Sequence, residues 1–72
     1  MKTKTKKISI KVIFTALDEN QVEYNFTLDA PNLLEAEIIA KDFLGREYAG
    51  GIIVLAQTWD LTNNKIVNEF EF

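Results

Sequence analysis

Cysteine and histidine are both absent from the 72 residues, and serine occurs once, at Ser9. A Ser-His-Asp triad, a cysteine nucleophile and a Cys/His zinc site therefore cannot be assembled from this chain, and no disulfide can staple it. Glycine occurs three times and proline once. That excludes a glycine-rich linker. Gly50-Gly51 precedes an apolar strand pattern rather than a helix, so it reads as a turn and not as a phosphate cradle. No apolar run approaches the roughly 20 residues of a membrane span. The charged start followed by Ile8 to Leu17 is a poor secretory signal, because Lys11 interrupts the apolar run and no small-x-small site follows. A cytoplasmic chain is expected, and the lack of cysteine fits that placement.

What is present is ordinary globular composition, 47% apolar and 26% charged, enough for one small domain spanning 1–72. The formal charge of −3 is unevenly spread. Lys2, Lys4, Lys6, Lys7 and Lys11 fall in the first eleven positions, where no acid occurs, and residues 1–7 form a basic arm. Residues 12–72 hold three basic residues against all eleven carboxylates, a net charge of −8. Lysine outnumbers arginine seven to one, a bias that suggests an AT-rich coding genome such as that of a bacterium or its phage.

Hydropathy alternates with period two over Ile8–Ala16 and again over Val22–Leu28, predicting two half-buried strands whose even positions share a face. A three-residue loop, Asp18-Glu19-Asn20, would pair Phe14 with Tyr24 and Val12 with Phe26, with Asn20 in the left-handed region. Asn32-Leu33-Leu34-Glu35 has the spacing of a capping box, so a helix is expected to start there. Leu33, Ala36, Ile39, Ala40, Phe43 and Leu44 make its core face, Glu37→Lys41 and Asp42→Arg46 are favourable pairs, and Gly45 is a plausible stop. Ile52–Leu61 and Lys65–Phe72 predict a second hairpin around an Asn63-Asn64 turn. In that register Leu55, Trp59, Leu61, Ile66, Phe70 and Phe72 face the helix, while Thr58, Asp60, Glu69 and Glu71 face away. The expected fold is α+β, β-β-α-β-β, a four-stranded antiparallel sheet with one helix packed on one face.

No constellation carries catalysis, cofactor binding or a metal. Asp60-Leu61-Thr62-Asn63-Asn64 with Glu71 has the oxygen spacing of a calcium loop, but Lys65 stands where that loop needs glycine. The hairpin also places Glu71 beside Ala56, about 13 Å from Asp60 at roughly 3.4 Å per residue. Carboxylate pairs such as Glu35/Asp42 and Glu69/Glu71 lie on solvated faces with nothing to desolvate them. The aromatic residues fall on faces assigned to the core, and the outer faces are acidic, which argues against nucleic-acid binding by the body.

The residues left over are more telling. Leu34 and Ile38 lie about 40° apart on the helix wheel, away from its core face. Ile13, Leu17, Val54, Ala56 and Val67 are apolar positions on the outer sides of strands. The expected function is a non-catalytic binding module acting through protein–protein contacts, an acidic-surface inhibitor or adaptor of a basic partner. Leu34, Ile38, Glu35, Asp42, Glu69 and Glu71 are the candidate partner-binding residues. The alternatives are a nucleic-acid or small-ligand binder using the basic arm, and a structural homodimer.

Overall fold

A computed structural model describes residues 9–72, so the basic arm at 1–7 lies outside the described residues. The elements are β1 (Ile10–Asp18), β2 (Glu23–Ala30), α1 (Leu33–Phe43), β3 (Glu47–Tyr48), β4 (Gly51–Asp60) and β5 (Lys65–Glu71). Every pairing is antiparallel. The order is β2-β1-β4, and β3 and β5 pair with the remaining edge of β4 at its two ends. The architecture is α+β as expected, with a fifth strand of two residues in place of a four-stranded sheet. That strand forms because the chain leaving the helix passes beside β4, where Ile53 donates to the Arg46 carbonyl at 3.0 Å and Gly45 donates to the Ile53 carbonyl at 2.8 Å.

Local chemistry sets the boundaries of α1. The Asn32 side chain accepts a hydrogen bond from the Glu35 amide at 2.8 Å, satisfying one of the unpaired amides of the first turn. At the other end Gly45, at φ 85°, takes the left-handed conformation that turns the chain away from the helix. Glu37–Lys41 at 2.9 Å and Asp42–Arg46 at 2.8 Å are the two predicted ion pairs. Ala36 and Ala40 are buried and let α1 lie close over β1 and β4, whereas Leu33, placed on the core face by its spacing, stays 41% exposed.

The first hairpin keeps the expected parity but not the expected pairs. Phe14 opposes Phe26 and Val12 opposes Leu28, two residues along from the predicted partners. The loop is Glu19-Asn20-Gln21, and Gln21 rather than Asn20 has positive φ, 65°. Asp18 causes the shift. Its carboxylate accepts from the amides of Asn20 at 2.8 Å and Val22 at 3.0 Å, so Asp18 closes the turn from its last strand position instead of sitting within it.

The second hairpin departs further. Its turn is Leu61–Asn64, four residues, with Asn64 at φ 53°. Asp60 opposes Lys65 and Trp59 opposes Ile66, but Thr58 opposes Asn68, leaving Val67 as a bulge. Past the bulge the parity reverses, and Ala56 rather than Gln57 opposes Phe70. The helix-facing residues of β4 are therefore Ile53, Ala56 and Thr58, all buried, while Leu55 and Trp59 face the other way. The expected inward set is thus wrong for Leu55, Trp59 and Ile66, the last of which opposes Trp59. Thr58, expected outside, is fully buried, and its hydroxyl accepts from the Asn68 amide at 3.0 Å. A second bulge lies at Val54, since Thr15 opposes Leu55 and Ala16 opposes Ile53. It accounts for both Ile53 and Ala56 pointing inward three residues apart.

The core comprises Val12, Phe14, Ala16, Ala30, Ala36, Ala40, Ile53 and Ala56. Phe14 stacks on Phe26 with ring centroids 4.8 Å apart, and Tyr48 continues the row 4.0 Å from Phe26. Gly51, the partner of Tyr48 on β4, leaves room there for the Tyr24 hydroxyl, which a Cβ would meet at 2.5 Å. The Tyr24 hydroxyl donates to the Tyr48 carbonyl, tying β2 to β3 over that gap.

Candidate functional site

Strand pairing fixes what the face opposite α1 presents, because directly opposed residues share a side of the sheet. One row across β2, β1, β4 and β5 reads Asp29, Lys11, Trp59, Ile66, and the next Thr27, Ile13, Gln57, Glu69. The third reads Asn25, Thr15, Leu55, Glu71. The last row crosses to β3 and reads Glu23, Leu17, Ile52, Glu47. Trp59, Ile13, Leu55 and Leu17 are therefore diagonal neighbours, and with Ile52 they form one apolar stripe down the middle two strands. Among the described residues no element covers this face.

Polar contacts hold the borders of the stripe in place. The Trp59 indole donates to the Gln57 side chain at 3.1 Å, and Gln57 in turn donates to Glu69 at 2.7 Å. On the other flank Lys11 pairs with Asp29 at 2.6 Å, and the Asn25 amide donates to the Thr15 hydroxyl at 2.8 Å. Lys11, Lys41 and Arg46 are each in an ion pair, and Lys65 stands opposite Asp60. Glu19, Glu23, Glu47, Glu69 and Glu71 have no ion-pair partner among the described residues. The face is apolar along its centre, anionic along its β5 and β3 edge and at Glu23, and neutral along the rest of β2.

At the β1–β2 turn the stripe runs into an open depression of about 350 Å³. Leu17, Ile52 and Val54 give it apolar lining, and Asp18, Glu19 and Glu47 line it with carboxylates. These acids do not converge as a metal site would: among the described residues no cluster of three or more His, Cys, Asp or Glu side chains is placed to hold a metal ion. Nor does the Asp60 turn form a calcium loop. The Asp60 carboxylate is occupied by Thr62 and Asn63, with the Asn63 side-chain amide at 2.8 Å, and these bonds hold it below the usual carboxylate range. Glu71 stands opposite Leu55.

The six residues singled out from sequence do not form one surface. Leu34 and Ile38, 68% and 52% exposed, lie on the outer side of α1 with Glu35 and Asp42, and Asp42 is engaged by Arg46. Glu69 and Glu71 belong to the open sheet face, on the other side of the sheet. Sequence reasoning missed Leu55 and Trp59 as residues of the open face, and with them the Glu23–Leu17–Ile52–Glu47 row. The usable signal was Ile13, Leu17 and Val54 of the outward apolar set; Ala56, expected in that set, is instead buried in the core, and Val67 is the β5 bulge. No described helix is long and apolar enough to cross a membrane. Comparisons with protein-family models, curated proteins and solved structures each gave no match.

Proposed function

We propose that the chain is a small non-catalytic binding module that acts through protein–protein contacts and engages a basic partner, as an inhibitor or adaptor. One observation carries this reading: the uncovered face of the sheet has a continuous apolar stripe flanked on the β5 and β3 side by Glu69, Glu71 and Glu47, and on β2 by Glu23, carboxylates without an ion-pair partner among the described residues. Apolar centre and charged rim are the usual division of labour at an interface, the centre supplying burial and the rim supplying steering and partner choice. The net charge of −8 over residues 12–72 adds long-range attraction for a cationic surface. It also opposes phosphate, so a nucleic-acid function would fall to the basic arm alone.

A structural homodimer is the competing reading. Two copies joined through this face would bring glutamates against glutamates, which disfavours that arrangement. Trp59 is the sole tryptophan, lies on the face in question, and is half-buried. Its fluorescence reports directly on docking. Titration with an end-blocked peptide alternating leucine and lysine is expected to shift Trp59 emission to the blue, with affinity falling as salt is raised. Unchanged emission, or binding indifferent to salt, contradicts the proposal.

A further inference from the structure

We infer that the depression where the apolar stripe meets the β1–β2 turn receives a single lysine or arginine side chain of the partner protein, while apolar residues flanking that cation lie along the stripe. The inference rests on the protein-binding reading above and adds to it an anchor point and the chemistry that the anchor requires.

The chemistry follows from the lining. A lysine or arginine has an apolar stem and a charged head, so it fits a site lined by both aliphatic and acidic residues. Leu17, Ile52 and Val54 provide the aliphatic surface, and Glu19 and Glu47 provide carboxylates without an ion-pair partner among the described residues. Asp18 contributes charge, but its carboxylate already accepts from the Asn20 and Val22 amides, which fixes the rim on that side. Glu23 extends the anionic border on β2, directly opposite Leu17. The depression opens on the same side as Leu55 and Trp59, so a segment seated there continues along the stripe without crossing an edge of the sheet.

Two other occupants fit less well. A metal ion needs oxygens within one coordination shell, whereas Glu23 and Glu47 lie on strands three spacings apart, about 14 Å at roughly 4.8 Å per spacing. A second copy brings the same acidic rim to the same place, and of its described cations Lys11, Lys41 and Arg46 are held by acids of its own while Lys65 stands opposite Asp60. A cationic side chain from a different protein carries neither penalty.

The test is a titration of the isotope-labelled full chain, followed through its backbone amide resonances. The probe is an end-blocked peptide of leucine and serine with one central lysine; analogues carry arginine, norleucine or glutamate at that position. The lysine and arginine peptides are expected to shift the amides of Leu17, Gly51 and Ile52 saturably. Affinity should fall about tenfold with norleucine, or with the variant Glu19→Gln/Glu47→Gln, the scale expected from losing two exposed charge contacts. Glu35→Gln, a charge lost from the helix side, is expected to change it little. Binding that shifts Ile13, Leu55 and Trp59 equally for every analogue and ignores Glu19→Gln/Glu47→Gln overturns this inference and leaves the protein-binding reading standing. No saturable shift with any peptide overturns both. The same three amides moving with protein concentration alone, with a doubling of mass by light scattering, assigns the site to a second copy and overturns the inference as well. Both glutamates lie on the surface, and an unchanged amide spectrum outside the depression establishes that the double variant is folded.

Discussion

Gly51 shows how one residue without a side chain organises a whole end of the molecule. A Cβ there would lie 2.5 Å from the Leu17 carbonyl oxygen and 2.5 Å from the Tyr24 hydroxyl. The first contact is with backbone, which cannot swing aside as a flexible side chain would. Gly51→Ala therefore has to move β1 away from β4 or push Tyr24 off the Tyr48 carbonyl, and overpacking of this kind costs about 1–3 kcal/mol. Urea unfolding is expected to show an unfolding free energy lower by that amount, with a correspondingly lower midpoint, and an unchanged midpoint would mean the strands are not held so closely. The glycine pair was legible in sequence as a turn. Its role beside Leu17 and Tyr24 was not, since that depends on a close approach between residues far apart in the chain.

At the scale of elements, legibility followed how local the determinants are. The helix was readable because Asn32, Ala36, Ala40 and Gly45 act within a few residues of one another. The first hairpin was readable in parity and misplaced by two in register, because Asp18 can close a turn from outside it as well as from within. The second hairpin was readable as a hairpin, right in face for Phe70, Glu69 and Glu71 and wrong for Leu55, Thr58, Trp59 and Ile66. Its bulge at Val67 depends on the Thr58 hydroxyl meeting the Asn68 amide across strands, and no periodicity in β5 announces that contact.

The turn of that hairpin yields a pH prediction. The Asn63 side-chain amide, more than any other group, holds the Asp60 carboxyl below its ordinary value; desolvation opposes it, and the Asn63 and Thr62 backbone amides and the Lys65 charge act in the same lowering direction. A folded-state value lower than the unfolded one stabilises the fold above the unfolded value, and this contribution disappears as pH falls through the folded value. Asp60→Asn is expected to unfold at lower urea concentration than the parent at neutral pH, and the gap should close on acidification through and below the usual carboxylate range. A gap that stays constant with pH would assign the effect to something other than ionisation.

Over the whole molecule, the mild charge of −3 divides into a basic arm outside the described residues and an acidic body, of whose carboxylates Glu23, Glu47, Glu69 and Glu71 border an uncovered sheet face. The candidate residues named from sequence fall on two opposite surfaces, the outer side of α1 and the open face of the sheet. This makes the central claim sharply testable, since the two surfaces are read by different amides. The most direct measurement is a map of amide shifts on the full chain titrated with the peptide alternating leucine and lysine. The account predicts shifts clustered on Ile13, Leu17, Leu55 and Trp59, weakening as salt is raised. Shifts confined to Leu34, Ile38 and their neighbours on α1, or no shifts at all, would contradict it.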